Sequence, residues 1–206
     1  MHPTVYRAFE RLGDHAAGER VLEVGATPDA SSLFNLAFLR GKDRVGLNLF
    51  AAEFDGVPII EANANDIPFD DDTFDIVLSN ATLEHDPFFW KSTSEMRRIL
   101  APGGVLMLGV PGFAQRRAES LVHRAAARLP WVVRHMNPLA SATLTFKVHY
   151  EEGRFGDYYR FSRMAVEEVL FAGMEILSLE SVMSPPRFVG AARKPAKSAR
   201  PGSGRA

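Results

Sequence analysis

Residues 20–29 read Arg-Val-Leu-Glu-Val-Gly-Ala-Thr-Pro-Asp, and this stretch decides the fold. Its apolar part predicts a short buried strand from Val21 to Val24, which Gly25 ends. The apolar spacing of residues 32–39 then predicts a helix. A strand, a glycine turn and a helix form the first half of a βαβ unit. The turn of such a unit lies at the carboxyl end of a parallel sheet, where ligands bind.

Glu23 is the unusual residue of this strand, because burying a carboxylate is costly unless something binds it. Near the end of the strand it can accept hydrogen bonds from a hydroxyl or an amine of a ligand. Gly25 has no side chain and lets a ligand approach the backbone. Together the two residues predict a ligand site at the turn.

This pattern resembles the first motif of class I S-adenosylmethionine-dependent methyltransferases, in which an acidic residue precedes glycines at alternating positions. Glu23 and Gly25 match that motif, whereas Thr27 and Asp29 occupy the next two glycine positions. The resemblance implies an α/β, Rossmann-like, doubly wound seven-stranded sheet, mostly parallel with an antiparallel last strand. It also implies S-adenosylmethionine as the cofactor, contacted at the turn by Glu23, Gly25, Ala26 and Thr27.

Asn48 stands where this family carries the acid that binds the cofactor ribose, at the end of a second strand predicted over residues 44–49. Asn48 and its neighbour Leu49 are therefore expected to contact the cofactor. An amide can accept and donate hydrogen bonds but carries no charge. We accordingly expect weak binding, and a gain of about 1 kcal/mol on Asn48→Asp. The alternative is a polar residue that caps the strand end.

The acid-rich loop before the fourth strand carries the most specific resemblance. It holds Ile-Pro-Phe at residues 67–69 and leads into Phe-Asp-Ile-Val at residues 74–77, as in small-molecule methyltransferases of the type 11-like group. By this resemblance Asn63 binds the adenine amino group, with Ala64 beside it. Asn80 lies at the ligand-facing end of the fourth strand and is a further candidate cofactor contact.

A second family feature follows the next predicted helix, where Leu100, Pro102, Gly103 and Gly104 lead into a buried fifth strand. Proline cannot continue a helix and glycine supplies its cap, so the helix is expected to end there. The two features occur in the order and spacing of the family. The resemblance covers about residues 18–112.

The second half of the chain is predicted from weaker signals. Residues 113–150 are an insertion expected to form a helical cap over the substrate pocket, with a membrane-surface helix or a homodimer contact as alternatives. Two closing strands are predicted over residues 175–182 and 187–192. The methyltransferase domain is thus expected to span residues 1–193. The remaining basic, acid-free residues predict a disordered tail, residues 194–206.

His85 and Tyr158 are the candidate catalytic residues. Methyl transfer is an in-line displacement that needs donor and acceptor in near-attack geometry, and oxygen or nitrogen acceptors also need a base. His85 lies just past the fourth strand, although a structural histidine is the alternative. Tyr158 belongs to Asp-Tyr-Tyr-Arg-Phe at residues 157–161, and similar segments occur in methyltransferases linked to surface-polysaccharide synthesis. This suggests a sugar acceptor, but the aromatic residues also suit a core.

Composition narrows the class of protein. The 206 residues are 46% hydrophobic and 24% charged, which is ordinary for a globular domain. The absence of cysteine excludes disulfides and cysteine-ligated metals, and no histidine–acid spacing predicts a metal site. Without a signal-peptide core or a long apolar run, a cytoplasmic protein with no transmembrane segment is expected. The net charge of −1 gives no indication of nucleic acid. The family resemblance implies a small-molecule substrate.

Two other functions compete with methyl transfer as interpretations of the sequence. A nicotinamide dehydrogenase needs G-x-G-x-x-G, and residues 25–30 read Gly-Ala-Thr-Pro-Asp-Ala. A catalytically inactive methyltransferase-fold protein, acting as a binding or scaffold module, is the stronger alternative. It is indicated by three departures from the family pattern, at Thr27, Asp29 and Asn48. The first acid, the first glycine and the adenine-side loop favour an enzyme instead.

Overall fold

The computed structural model describes residues 1–113, 156–183 and 186–196. These residues form an eight-stranded sheet in the order β3-β4-β2-β1-β5-β6-β8-β7. The strands are β1 (Arg20–Val24), β2 (Asp43–Asn48), β3 (Ala52–Phe54), β4 (Val57–Glu61), β5 (Phe74–Asn80), β6 (Leu100–Pro111), β7 (Glu175–Val182) and β8 (Arg187–Arg193).

The sheet is mostly parallel, as the sequence predicts. Strands β4, β2, β1, β5 and β6 are parallel to their neighbours in this series, and β8 is antiparallel to both β6 and β7. The strand order reverses at β1. Strands β2 and β4 lie between β1 and one edge of the sheet, whereas β5 and β6 lie between β1 and the other edge. This arrangement confirms the doubly wound α/β fold and places the turn after β1 at the switch point where ligands bind.

The sheet has eight strands where the sequence predicted seven, because the additional short strand β3 forms a hairpin with β4. Residues Ala52–Phe54 pair antiparallel with Val57–Glu61. Asp55 and Gly56 join the two strands, and both have positive φ, at 50° and 75°. Two successive left-handed residues form the type I′ turn that matches the twist of a hairpin, and Asp-Gly is a preferred sequence for it.

Helices cover both faces of the sheet. The α-helices of the described residues are α1 (Pro3–Arg11), α2 (Phe89–Ile99) and a short α3 (Arg163–Ala165) that continues as a π-helical turn (Val166–Leu170). Successive strand residues point to opposite faces, so Ile76 packs in the core beneath α1, whereas Val77 packs with α2 and α3. The result is a three-layer domain in which the central strands β1, β5 and β6 are mostly buried on both faces.

The predicted helix over residues 32–39 is wrong. The chain instead makes two separate 3₁₀ turns, Leu33–Asn35 and Ala37–Leu39, with an extended residue, Leu36, between them. The fully buried leucines of this segment recur every three residues, at Leu33, Leu36 and Leu39. That spacing matches a 3₁₀ turn as well as an α-helix, and it does not distinguish the two in so short a segment.

The last elements agree with the sequence. Ser162 caps α3 as expected, because its hydroxyl accepts a hydrogen bond from the Ala165 amide at 3.1 Å. The boundary of the predicted tail was drawn too early, since Lys194 donates to Asp72 at 2.8 Å and to the carbonyl of Leu100 at 2.6 Å. The predicted cap helix in residues 113–150 and the tail beyond residue 196 lie outside the described residues.

Candidate functional site

A cleft of about 460 Å³ opens at the carboxyl ends of the parallel strands. Its walls come from the ends of β1 and β2 and from the segments that follow β4 and β5. Seven of the residues predicted from the sequence line it: Gly25, Thr27, Asn48, Leu49, Asn63, Ala64 and His85. The cleft thus brings together side chains that are far apart in the sequence.

The turn after β1 depends on Gly25. Its φ is +84°, a left-handed conformation that residues with side chains rarely adopt. A Cβ atom at this position would lie 2.0 Å from Thr82 Oγ1. The hydroxyl of Thr82 in turn donates to the carbonyl of Val24 at 3.2 Å. Gly25 therefore allows the loop after β5 to pack directly on the turn after β1.

Glu23 lies beneath this turn and does not line the cleft. It is 4% exposed, and its carboxylate accepts hydrogen bonds from Ser32 Oγ at 2.6 Å and from the Leu33 amide at 2.9 Å. Burial raises the pKa of Glu23 to about 7, although these hydrogen bonds oppose the increase. In this geometry the carboxylate fixes the segment after the turn, whereas the sequence predicted that it would accept from a ligand.

Asn48 lines the cleft, but its side chain is bonded to the protein's own backbone. The amide Nδ2 donates to the carbonyl of Ala26 at 2.6 Å, and Oδ1 accepts from the Leu49 amide at 2.7 Å. The geometry matches the strand-end interpretation. It also removes the basis for expecting tighter binding from Asn48→Asp, because a carboxylate has no proton to donate to Ala26.

A network of amides and a carboxylate orders the loop after β4. Oδ1 of Asn63 accepts from the backbone amide of Asn65 at 2.9 Å and from its Nδ2 at 3.0 Å. The same Nδ2 lies 3.1 Å from Asp86 Oδ2. Asn65 and Asp86 also line the cleft and were missed. Their polarity next to predicted site residues was the available signal.

His85 lies in the 3₁₀ turn Leu83–His85 at the edge of the cleft. Its Nδ1 is 2.7 Å from the carbonyl oxygen of Gly156, so Nδ1 carries a proton and donates it. In the neutral ring Nε2 is then the unprotonated nitrogen. This tautomer can act as a base through Nε2.

Four predicted residues do not line the cleft, namely Glu23, Ala26, Asn80 and Tyr158. Ala26 is fully buried and contributes its carbonyl to Asn48. Asn80 donates through Nδ2 to Met1 Sδ at 3.5 Å. Tyr158 is 56% exposed, and its backbone amide donates to the carbonyl of Glu84 at 2.7 Å.

The described part of the chain shows neither a metal-binding cluster nor a membrane-spanning helix. Residues 1–113, 156–183 and 186–196 contain no cluster of three or more histidine and acidic side chains able to hold a metal ion. Within the same residues, the helices are too short or too polar to cross a bilayer.

The sequence comparisons agree with the fold. Residues 35–108 match the model of a family described as "Methyltransferase domain". The chain is also 33% identical over 139 residues to a demethylmenaquinone methyltransferase of Clavibacter sepedonicus. That match covers 66% of this chain and 56% of the relative, so the chain spans about half the length of the curated relatives that it matches.

Solved structures of methyltransferases have the same fold. A SAM-dependent methyltransferase of Methanosarcina mazei aligns with a TM-score of 0.61 and 17% identity, covering 96% of this chain and 99% of the other. The 1,6-didemethyltoxoflavin-N1-methyltransferase of Burkholderia thailandensis, solved with bound 1,6-didemethyltoxoflavin and S-adenosylhomocysteine, aligns with a TM-score of 0.59 and 16% identity, covering 94% and 79%. The family match at residues 35–108 and the shared fold make this chain similar to S-adenosylmethionine-dependent methyltransferases.

Proposed function

We propose that the protein binds S-adenosylmethionine in the cleft and transfers its methyl group to a small molecule. The observation that carries this proposal is the convergence of the Gly25 turn, the end of β2 and the Asn63 loop around a single cleft. Its volume of about 460 Å³ lies within the range of small-molecule sites.

The residues of the cleft fit the cofactor. Leu47, Leu49 and Phe88 offer apolar surface for the adenine ring, and the Asn63 side chain offers polar atoms for its edge. The turn at Gly25 gives the methionine portion access to backbone groups. When bound, S-adenosylmethionine supplies an electrophilic methyl group, and the role of the protein is to hold an acceptor in line with it.

His85 is the proposed base for an acceptor that must lose a proton. The carbonyl of Gly156 holds the proton on Nδ1, and Nε2 is then able to take a proton from a hydroxyl or an amine. His85 lies on the wall of the cleft, next to the space proposed for the cofactor. A positioned base of this kind contributes about 10²–10⁴-fold in rate.

The nature of the acceptor is the narrower part of the proposal. The resemblance of residues 157–161 to methyltransferases of surface-polysaccharide synthesis favours a sugar. The similarity to a demethylmenaquinone methyltransferase favours a ring compound instead. We propose a cytoplasmic enzyme for either acceptor.

A second candidate is a methyltransferase-fold protein that binds but does not catalyse. Two observations favour it. Both polar groups of Asn48 are used by the backbone, and Glu23 is buried beneath the turn. Each leaves fewer polar groups to bind a cofactor.

Calorimetric titration with S-adenosylhomocysteine tests the proposal. We expect saturable binding with one site, weakened about tenfold by Asn63→Ala. The matched control is Asn35→Ala, which removes an amide outside the cleft whose Nδ2 donates to the Ser32 carbonyl at 3.4 Å. No binding at millimolar ligand would contradict the proposal.

A second measurement separates enzyme from binding protein. Radiolabelled S-adenosylmethionine is incubated with the protein and a small-molecule extract, and label transferred to organic products is counted. We expect transfer by the wild type and a loss of at least tenfold in His85→Gln, with S-adenosylhomocysteine binding retained. Tight binding without any transfer would favour the second candidate.

A further inference from the structure

A second cavity, of about 250 Å³, adjoins the same 3₁₀ turn that borders the cleft. The turn contributes His85 to the cleft and Glu84 to this cavity. The remaining walls come from the end of β6, the segment before α3 and the β7–β8 connection: Pro111, Gly112, Asp157, Arg160, Met183, Pro186 and Arg187.

Backbone hydrogen bonds fix these walls relative to one another. The amide of Tyr158 donates to the carbonyl of Glu84 at 2.7 Å, and the amide of Phe161 donates to the carbonyl of Pro111 at 2.9 Å. The amide of Gly112 donates to the carbonyl of Pro186 at 2.9 Å. The cavity is therefore a built feature of the fold, because each wall is bonded to a neighbouring one.

The charges around the cavity balance. Arg187 Nη2 donates to Glu84 Oε1 at 2.7 Å. Arg160 makes two hydrogen bonds to the carboxylate of Asp157, one of them 2.8 Å long. Two guanidinium groups thus face two carboxylates, and this arrangement favours an uncharged ligand over an anion or a cation.

Within the described residues, one acceptor and one donor at the cavity have no hydrogen-bond partner. Glu84 is 4% exposed in its side chain, and its Oε2 is buried without a hydrogen bond. Arg187 Nε is also buried without one. Leaving buried polar atoms unpaired is unfavourable, so a ligand that satisfies them gains binding energy. Both atoms belong to the ion pair between Glu84 and Arg187, so a single small group that reaches both would satisfy them together.

A hydroxyl group fits these two atoms. We propose that the cavity binds a hydroxyl of the methyl acceptor, which donates to Glu84 Oε2 and accepts from Arg187 Nε. Naming the ligand as the acceptor rests on the proposed function, whereas the hydroxyl site itself does not. Pro111, Met183 and Pro186 surround the hydroxyl with apolar surface suited to a ring. The hydroxyl belongs either to a phenolic ring or to a sugar.

The test uses the full chain with ¹³C-labelled methionine methyl groups. Met183 lines the cavity, and Met183→Leu assigns its resonance. We expect phenol to shift this resonance saturably. Anisole has the same ring but no proton to donate, and it should bind at least tenfold more weakly. Methyl α-D-glucopyranoside is the sugar arm, so a response to it instead of phenol identifies a sugar acceptor.

Glu84→Gln should weaken binding of the probe that shifts the Met183 resonance at least tenfold. Its matched control is Glu95→Gln, which changes an ion-paired glutamate of α2 that lies 2.7 Å from Arg98. If Glu84→Gln does not fold, the comparison of phenol with anisole on the wild type still tests whether the cavity recognises a hydroxyl. Equal binding of phenol and anisole, or no response to either phenol or the glucoside, would overturn the proposal.

Calorimetry with S-adenosylhomocysteine on the same samples keeps the two proposals separate. A Met183 response to phenol without S-adenosylhomocysteine binding would support the hydroxyl site and contradict the proposed function. Binding of S-adenosylhomocysteine without any Met183 response would support the proposed function and contradict the hydroxyl site.

Discussion

The carboxamide of Asn48 is held on both sides by the protein's backbone, as donor to Ala26 and as acceptor from Leu49. An aspartate at this position would keep the acceptor and lose the donor. Its carboxylate would also face the carbonyl oxygen of Ala26, and two acceptors at hydrogen-bond distance repel each other. The residue thus stabilises the contact between the β1 turn and the end of β2.

We therefore expect Asn48→Asp to lower the free energy of unfolding by about 1–3 kcal/mol at pH 8 and to weaken S-adenosylhomocysteine binding. At pH 4 the loss should shrink, because a protonated carboxyl can donate to Ala26. Urea denaturation at both pH values measures this. Asn35→Asp is the control and should change stability by less than about 1 kcal/mol. Tighter ligand binding in Asn48→Asp would restore the ribose-acid interpretation.

Glu23 gives a second prediction at the residue scale. Its folded pKa is raised to about 7, above the value of an exposed glutamate. Below the unfolded pKa both states are protonated. As the pH rises through the folded pKa, the unfolded state ionises first and stability is lost.

Glu23→Gln removes this ionisation, so its stability relative to the wild type should improve between pH 5 and pH 8 by on the order of 3 kcal/mol. Denaturation curves for both proteins across this range give the difference. The control substitution is Glu53→Gln, at an exposed position of β3. A constant difference between Glu23→Gln and the wild type would show that Glu23 is ionised throughout.

At the scale of elements, the turn after β1 and the loop after β5 are packed too closely for a side chain at Gly25. We expect Gly25→Ala to destabilise the protein strongly and to abolish cofactor binding. Gly41→Ala is the matched control, because its φ is +79° but a Cβ there meets nothing within 4 Å. Gly41→Ala should cost only the backbone strain, about 1–2 kcal/mol.

The clash at Gly25 can also be relieved. Adding Thr82→Ala to Gly25→Ala removes the hydroxyl that the new Cβ would meet at 2.0 Å. The double variant should regain part of the stability lost by the single variant, as judged by thermal unfolding. If Thr82→Ala brings no recovery, the close approach is not the reason for the glycine.

The sequence predicted those elements whose signals are local. Continuous apolar runs marked β1, β5 and β6, and Ser162 marked the start of α3. The prediction of a helix over residues 32–39 was wrong because leucines three residues apart occur in 3₁₀ turns as well as in α-helices. The Asp55-Gly56 turn was recognisable by its own chemistry and was overlooked.

The candidate site was predictable in position but less so in detail. The residues of the cleft follow from the ends of parallel strands, which meet at one edge. The partners of each polar group do not follow, because Asn48 bonds to Ala26, 22 residues away, and His85 to Gly156, 71 residues away. Only the folded backbone decides whether a polar side chain is used by the protein or left for a ligand.

At the scale of the whole molecule, Lys194 joins the end of β8 to the carboxyl end of α2. Its Nζ lies at hydrogen-bond distance from Asp72, from the carbonyl of Arg97 at 2.8 Å and from that of Leu100 at 2.6 Å. These carbonyls lie at the carboxyl end of α2, where a cation is favourable. The residue after β8 thereby fastens the last strand pair to the first half of the fold.

Lys194→Met should lower the free energy of unfolding by about 1.5–3 kcal/mol, because it removes charge-assisted hydrogen bonds from a half-buried group. Chemical denaturation measures the loss. The control is Lys91→Met, a lysine on the exposed side of α2 near the Phe88 ring, which should lose at most about 1 kcal/mol. Equal effects of the two substitutions would show that Lys194 contributes no more than a surface charge.

The two cavities draw on different halves of the chain. Residues from Val24 to Phe88 build the cleft, whereas the hydroxyl cavity takes most of its wall from residues 157–187. The two share only the turn at Leu83–His85. Under the proposed function, substitutions in the second half of this protein would change the acceptor site while the first half keeps the cofactor site. The same division offers protein engineers a place to exchange segments between relatives: on this proposal, a chimaera joined near Gly112 should take its cofactor site from one parent and its acceptor site from the other.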